Sequence, residues 1–95
     1  MKYLNFLLSL FLVSNVFSQD YDLYDKELFI FQNDTLNYRI LRPLNFDPNK
    51  QYPVHLFLHG SGERGDDNSS QLIHGGELFL KKENREKYNS WVIFP

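Results

Sequence analysis

Apolar residues recur at every second position in residues 36–41, which is the period of a half-buried β-strand. A second segment, residues 27–32, holds four consecutive apolar residues and precedes it closely. Between them lies Asn33-Asp34-Thr35, a sequence of residues that favour turns. The pattern predicts two strands joined as an antiparallel hairpin.

Two further apolar runs follow the hairpin. Residues 54–58 form a run that only His55 interrupts, after a connection at residues 43–53 that is rich in proline and asparagine. A strand with apolar residues at almost every position is typical of a central strand covered on both faces. Residues 91–94 form the second run and predict another buried strand.

Residues 77–88, between the two runs, have the composition of a helix. Acidic and basic residues recur there at four-residue spacing, in the pairs Glu77/Lys81 and Glu83/Lys87. Residues 67–70 are polar and suited to capping a short helical turn before it. Because a strand, a helix and a strand in this order form a crossover between parallel strands, we expect an α/β fold.

The first 18 residues have the features of a secretory signal peptide. Lys2 supplies the positive start, an apolar run covers residues 4–13, and Val16 and Ser18 stand before the expected cleavage site, after which Gln19 would begin the mature chain. The apolar run is shorter than the roughly 20 residues that span a bilayer. We therefore expect a secreted or periplasmic protein, with no membrane anchor and with one incomplete domain over residues 19–95.

Charge and cysteine content narrow the function classes. The chain has ten basic and twelve acidic residues, a net charge of −2, and no basic cluster of the kind that neutralises phosphates. Nucleic acid is therefore not an expected partner. There is no cysteine, so no disulfide supports a small exported domain. This favours a part of a larger fold with a substantial core, and the absence of a cysteine at the mature N-terminus argues against a lipid anchor.

The chemistry-bearing motif is the segment His59-Gly60-Ser61-Gly62-Glu63-Arg64-Gly65, which follows the strand at residues 54–58 without a linker. Glycines let backbone N–H groups approach a ligand closely, as an oxyanion hole requires. The segment lacks the Lys-Ser/Thr ending of a phosphate-binding loop. A structural glycine turn remains the alternative.

Taken together, the hairpin, this glycine segment and the following helix and strand resemble the N-terminal third of an α/β-hydrolase. The resemblance covers residues 36–95 and is to secreted carboxylesterases, feruloyl-esterase-like proteins and predicted peptidases related to dienelactone hydrolase. It implies that a fifth strand, after Pro95, carries the nucleophilic serine and pairs with the strand at residues 54–58. Without that partner the strand has an open edge, so we expect poor stability of the chain alone.

The resemblance also implies roles in the glycine segment. One oxyanion donor would be the backbone N–H of Ser61, with Gly62 as the next candidate, and the other would follow the missing serine. The remaining residues of the segment are interpreted as loop support: His59, Gly60, Glu63, Arg64 and Gly65. His59 would hydrogen-bond the backbone, and Glu63 with Arg64 would form charge-assisted bonds or a plain salt-bridged surface turn.

Other candidates receive simpler interpretations. Ser61 is not the nucleophile of a Gly-x-Ser-x-Gly motif, because His59 stands where that motif needs glycine. His74 precedes the expected serine, whereas hydrolases of this family place the base after it, so it is structural or faces the substrate. The set His55, His59, His74 and Asp66 matches no metal-binding spacing. No metal and no cofactor are expected.

The sequence thus predicts part of an exported serine hydrolase that acts on a small-molecule ester or a peptide and is inactive by itself. Two alternatives stay open. One is a small secreted carbohydrate-binding or other interaction module, with a sugar-stacking face formed by Tyr21, Tyr24, Phe29 and Phe31. The other is an inactive truncated remnant. The sequence leaves the oligomeric state and the choice among substrates undetermined.

Overall fold

The computed structural model describes residues 20–95, so the predicted signal peptide and its cleavage site lie outside the described residues. The strands are β1 (Tyr24–Phe31), β2 (Asp34–Leu41), β3 (Val54–Leu56) and β4 (Trp91–Phe94). The helices are α1 (Gly76–Leu80) and α2 (Lys82–Lys87), and 3₁₀ turns cover Tyr21–Leu23, Ser61–Glu63 and Ser70–Leu72.

The four strands form one mixed sheet in the order β1-β2-β4-β3. β1 and β2 are antiparallel and pair Phe31 with Asp34, so two residues, Gln32 and Asn33, make the hairpin connection. Thr35 and Asp34, which the sequence places in the turn, belong to β2. β4 is antiparallel to β2 and parallel to β3. The predicted α/β class, with a hairpin and a parallel strand–helix–strand unit, is confirmed.

The prediction that residues 54–58 form a central strand covered on both faces is wrong for these residues. β3 pairs with β4 alone among the described strands, which is the open edge expected without a fifth strand, but the predicted cover of both faces is absent. The side chains of Val54, Leu56 and Leu58 are 60%, 61% and 71% exposed. An apolar run identifies residues suited to burial, but burial also requires elements that cover the strand, and residues 20–95 supply none on this face.

The core lies on the opposite face of the sheet. Its fully buried apolar members come from the strands and from the third 3₁₀ turn, Ser70–Leu72: Tyr24, Leu41, Leu72, Val92 and Phe94. Phe94 is 0% exposed. The centroid of its ring lies 4.9 Å from that of the Phe57 ring and 5.9 Å from that of the Phe79 ring. Because Phe79 belongs to α1, these contacts attach the helix to the sheet.

The predicted single helix at residues 77–88 is two short helices, because Lys81 has extended backbone angles, φ −60° and ψ 131°. The Asn84 side chain donates to the Leu78 carbonyl at 2.8 Å and so satisfies an acceptor at the end of α1. Because Lys81 lies outside α1, Glu77 and Lys81 are not one helical turn apart as predicted. In α2 the ion pair at four-residue spacing joins Lys82 to Glu86, at 3.8 Å, in place of the predicted Glu83/Lys87 pair.

Candidate active site

The glycine segment begins directly after β3 and folds into the 3₁₀ turn Ser61–Glu63. The Glu63 N–H donates to the Gly60 carbonyl at 3.2 Å and closes this turn. The first N–H groups of a helical turn have no acceptor within it. Within residues 20–95 the N–H groups of Ser61 and Gly62 have no backbone acceptor, and both residues are exposed. The turn therefore presents two neighbouring main-chain donors that a ligand can reach.

The glycines of this turn differ in the space around them. A Cβ on Gly60 would lie 3.1 Å from Glu63 Oε2, so the absence of a side chain lets the carboxylate lie against the backbone. A Cβ on Gly62 would meet nothing within 4 Å. The lack of a side chain at Gly60 thus allows Glu63 to pack against the loop, while the space that a Gly62 side chain would occupy is empty.

The predicted support residues have separate partners. His59 Nδ1 lies 2.6 Å from the carbonyl oxygen of Gly60. Glu63 Oε1 lies 2.6 Å from Nε2 of His74, and the Glu63 side chain is only 11% exposed. Arg64 is exposed and has no hydrogen bond or ion pair within residues 20–95. The partner of Glu63 is thus His74, not a surface cation on the same loop.

Asp67 lies three residues before Ser70, where the next 3₁₀ turn begins. Its carboxylate accepts hydrogen bonds from the Ser70 hydroxyl at 2.6 Å and from the backbone N–H groups of Ser69 and Ser70, each at 3.1 Å. These bonds, with the Ser70 hydroxyl as the largest contribution, lower the pKa of Asp67 to about 2. The carboxylate is therefore ionised at neutral pH and caps the turn.

Arg39 connects this loop to the sheet, a role that its polar position in a strand does not predict. The guanidinium donates to the Tyr24 carbonyl at 2.7 and 3.1 Å, to the Tyr21 carbonyl at 2.9 Å and to the Asn68 carbonyl at 3.0 Å. Arg39 is 4% exposed. A buried charge needs several hydrogen bonds to offset the loss of hydration, and these carbonyls provide them. The alternation in residues 36–41 places Arg39 opposite the apolar face of Leu36, Tyr38 and Ile40, but the structure buries the face of Arg39 and Leu41 instead.

Tyr24 joins the same region to the start of α1. Its hydroxyl donates to the Gly76 carbonyl at 2.6 Å, and burial raises the pKa of the phenol well above its usual value. Its ring meets that of Phe94 edge to face, with 5.3 Å between centroids. The residue is therefore a structural connection between sheet and helix.

A groove of about 180 Å³ lies beside the glycine turn, at the end of β4. Most of the residues that line it are polar. The full lining comprises Thr35, Leu36, Asn37, His59, Glu63, Gly65, Asp66, Asn68, Gln71 and Pro95. Ligands of parallel sheets bind outside the carboxyl ends of the strands, where this groove lies.

The three histidines do not converge. His55 Nδ1 is 2.8 Å from Ser90 Oγ, whereas His59 contacts Gly60 and His74 contacts Glu63. Residues 20–95 contain no group of three His, Cys, Asp or Glu side chains placed to hold a metal ion. Over the same residues, no helix combines the length and the apolar content needed to cross a bilayer.

The chain matches no protein-family model, and no curated protein matches it. Its fold is similar to that in the crystal structure of a thermostable esterase, with a TM-score of 0.68 and 28% sequence identity. The match covers 76% of this chain and 20% of the esterase chain, so the chain spans about a fifth of the length of that enzyme. The described residues therefore have an esterase-like fold.

Proposed function

We propose that this chain supplies the oxyanion-hole loop of an exported serine hydrolase that cleaves carboxylic esters. The observation that carries the proposal is the glycine turn after β3, where the N–H groups of Ser61 and Gly62 are exposed and lack backbone acceptors. The similarity to a thermostable esterase supports the ester-hydrolase part of the proposal. Export is proposed from the signal-peptide features of residues 1–18.

The proposed chemistry is acyl transfer. When a nucleophile adds to an ester carbonyl, the oxygen acquires negative charge, and donors fixed beforehand stabilise it without reorganisation. In this chain the Ser61 N–H is the first candidate donor and the Gly62 N–H the second. The second half of the hole would come from the residue after the nucleophilic serine. Loss of one such donor lowers the rate about 10²- to 10³-fold.

The reaction needs groups that this sequence does not contain in a recognisable motif. No Gly-x-Ser-x-Gly sequence is present, and Ser61 has His59 at the position where the motif requires glycine. We therefore assign the nucleophile, the acid and the base to residues outside this chain. A small-molecule ester is the proposed substrate, with a peptide as the less favoured choice, and the chain alone is inactive.

The first test measures hydrolysis of p-nitrophenyl acetate by the 95-residue chain. We expect no rate above the blank. Hydrolysis that a serine-directed inhibitor abolishes would contradict the assignment of the nucleophile to another segment. The reading frame beyond codon 95 should continue into a Gly-x-Ser-x-Gly motif. A frame without that motif would contradict the proposal as a whole.

The second test removes one donor in the longer gene product. Ser61 is the first residue of its 3₁₀ turn, where proline is tolerated, and Gly60 has φ −79° and ψ 174°, which suit a residue before proline. Ser61→Pro deletes the N–H, and we expect kcat to fall about 10²- to 10³-fold. The matched control Ser61→Ala keeps the N–H and should keep the rate. Equal rates for both variants would exclude Ser61 as a donor.

The aromatic residues of the alternative carbohydrate-binding module are divided between two environments. Tyr24 is 1% exposed in the core and Tyr21 packs against that core. Phe29 and Phe31 are 55% and 61% exposed on the hairpin. A sugar-stacking face would have to use these two phenylalanines without the tyrosines, so the geometry favours the hydrolase proposal.

A further inference from the structure

We propose that His74 is a positioning residue for the oxyanion donors, acting through Glu63. The inference rests on the proposed function of the glycine turn, because the groups it positions are the N–H groups of Ser61 and Gly62. His74 touches neither of the two donors in the contacts described above. Its role is to hold the Glu63 side chain, which lies against Gly60, the residue directly before Ser61.

The Glu63 carboxylate bridges two parts of the loop. Its Oε1 atom lies 2.6 Å from Nε2 of His74, and its Oε2 atom lies against Gly60, 3.1 Å from where a Cβ would be. The Glu63 side chain is 11% exposed, whereas that of His74 is 72% exposed. The carboxylate is thus enclosed by the turn, and His74 closes it from the solvent side.

The segment that carries His74 is attached firmly to the sheet. A Cβ on Gly75 would lie 2.6 Å from the Phe57 ring, which shows how closely this ring packs on the backbone next to His74. The Phe57 N–H in turn donates to the Ile93 carbonyl of β4 at 2.9 Å. His74 therefore connects the glycine turn to a fixed point on the sheet.

The turn needs such a connection. The Glu63 N–H bond to the Gly60 carbonyl closes only a short 3₁₀ turn, and two glycines increase the conformational freedom of its backbone. Donors stabilise an oxyanion well only when their positions are set before the reaction. A hydrogen bond from His74 Nε2–H to Glu63 restricts the turn, and it requires the proton on Nε2 but not a charged ring.

Three variants distinguish the effect of the hydrogen bond between His74 and Glu63 from the effect of side-chain packing in this segment. His74→Ala removes the donor. His74→Gln keeps an amide N–H near the position of Nε2 and should restore the contact. Ile73→Ala is the matched control, because Ile73 is the preceding residue of the same segment and is 60% exposed.

Limited trypsin digestion of the full chain measures the opening of the loop. Cleavage after the exposed Arg64 requires local opening of the glycine segment, and cleavage after Lys82, in α2, serves as an internal reference. For His74→Ala we expect the ratio of the two cleavage rates to rise about 5-fold, which corresponds to the loss of one hydrogen bond between Nε2–H and the Glu63 carboxylate. The ratio should stay within about 2-fold of the parent for His74→Gln and Ile73→Ala.

Backbone ¹⁵N relaxation gives a second measurement in the same variants. We expect order parameters near 0.85 for Ser61 and Gly62 in the parent and in His74→Gln, and below about 0.6 in His74→Ala. Unchanged order parameters in His74→Ala, or an equal loss in His74→Gln, would overturn the proposal. Neither readout depends on hydrolysis, so failure of the positioning role is distinguishable from failure of the esterase proposal.

Discussion

The two faces of the sheet are built from similar apolar residues but have very different environments. On one face Tyr24, Leu41 and Phe94 are at most 3% exposed beneath the helical segments. On the other face Val54 and Leu56 are 60% and 61% exposed. The comparison shows that strand alternation assigns residues to a face, whereas burial depends on which elements cover that face.

β4 shows the same contrast within four residues. Val92 and Phe94 are buried on the covered face, while Trp91 and Ile93, on the other face, are partly exposed. Trp91 gains partial cover from the connection before β3, since its ring centroid lies 5.1 Å from that of Phe46. Even a loop therefore covers part of the open face where an aromatic residue reaches it.

The largest expected difference between the faces comes from truncating one apolar side chain on each. Phe94→Ala should lower the free energy of unfolding by about 3–5 kcal/mol, because the ring is fully buried among aromatic neighbours. Leu56→Ala should change it by about 0.5 kcal/mol or less. Urea unfolding followed by Trp91 fluorescence measures both. An equal loss in the two variants would mean that the open face is covered in solution.

A smaller difference is expected between two glycines near the candidate site. Gly75→Ala would place a Cβ 2.6 Å from the Phe57 ring, which is itself held against Phe94, so we expect a loss of about 1–3 kcal/mol from overpacking. Gly62→Ala meets nothing within 4 Å and should be close to neutral. The same urea titration compares them. A neutral Gly75→Ala would show that the Phe57 ring moves freely.

The smallest effect on stability is expected in the exposed turn at Asp67. Unlike the core, this turn depends on the ionisation of a carboxylate. The pKa of Asp67 in the folded chain is lowered from its ordinary value to about 2, so its stabilising contribution is present above the unfolded pKa and is lost as the pH falls through the folded one. A ¹³C carboxyl titration should give a midpoint near 2. Ser70→Ala should raise this midpoint, because the Ser70 hydroxyl is the largest cause of the shift.

Ser69→Ala is the control for that titration. The Ser69 hydroxyl lies 3.5 Å from the Asp67 carbonyl oxygen and does not contact the carboxylate. Its removal should therefore leave the midpoint unchanged. A midpoint that moves equally in both serine variants would contradict the assignment of the shift to the Ser70 hydroxyl.

Local pattern was sufficient for much of the fold. The two-residue period of residues 36–41 predicts β2, and the apolar runs at residues 54–58 and 91–94 predict the strands that pair in parallel. The glycine segment was located from residue types alone, because glycine, unlike other residues, lets backbone donors approach a ligand closely. These features depend on residues close in sequence.

Contacts between distant residues decided the remainder. Even the nearby contact from the Asn84 side chain to the Leu78 carbonyl, at the break between α1 and α2, follows no helical spacing. The partner of Glu63 is His74, eleven positions along the chain by residue number, and no spacing rule predicts that pair. Arg39 is buried because carbonyls from Tyr21, Tyr24 and Asn68 surround its guanidinium.

The sequence by itself determined the order of the strands along the chain, the pairing of the hairpin and the position of the glycine turn, since each follows from periodicity or from the steric freedom of glycine. Only the tertiary structure decided that the side chains of Val54 and Leu56 in β3 are exposed, that the opposite face of the sheet is covered, and that His74 meets Glu63. The physical reason is that burial and side-chain partners depend on which segments meet in space, and a local pattern does not contain that information.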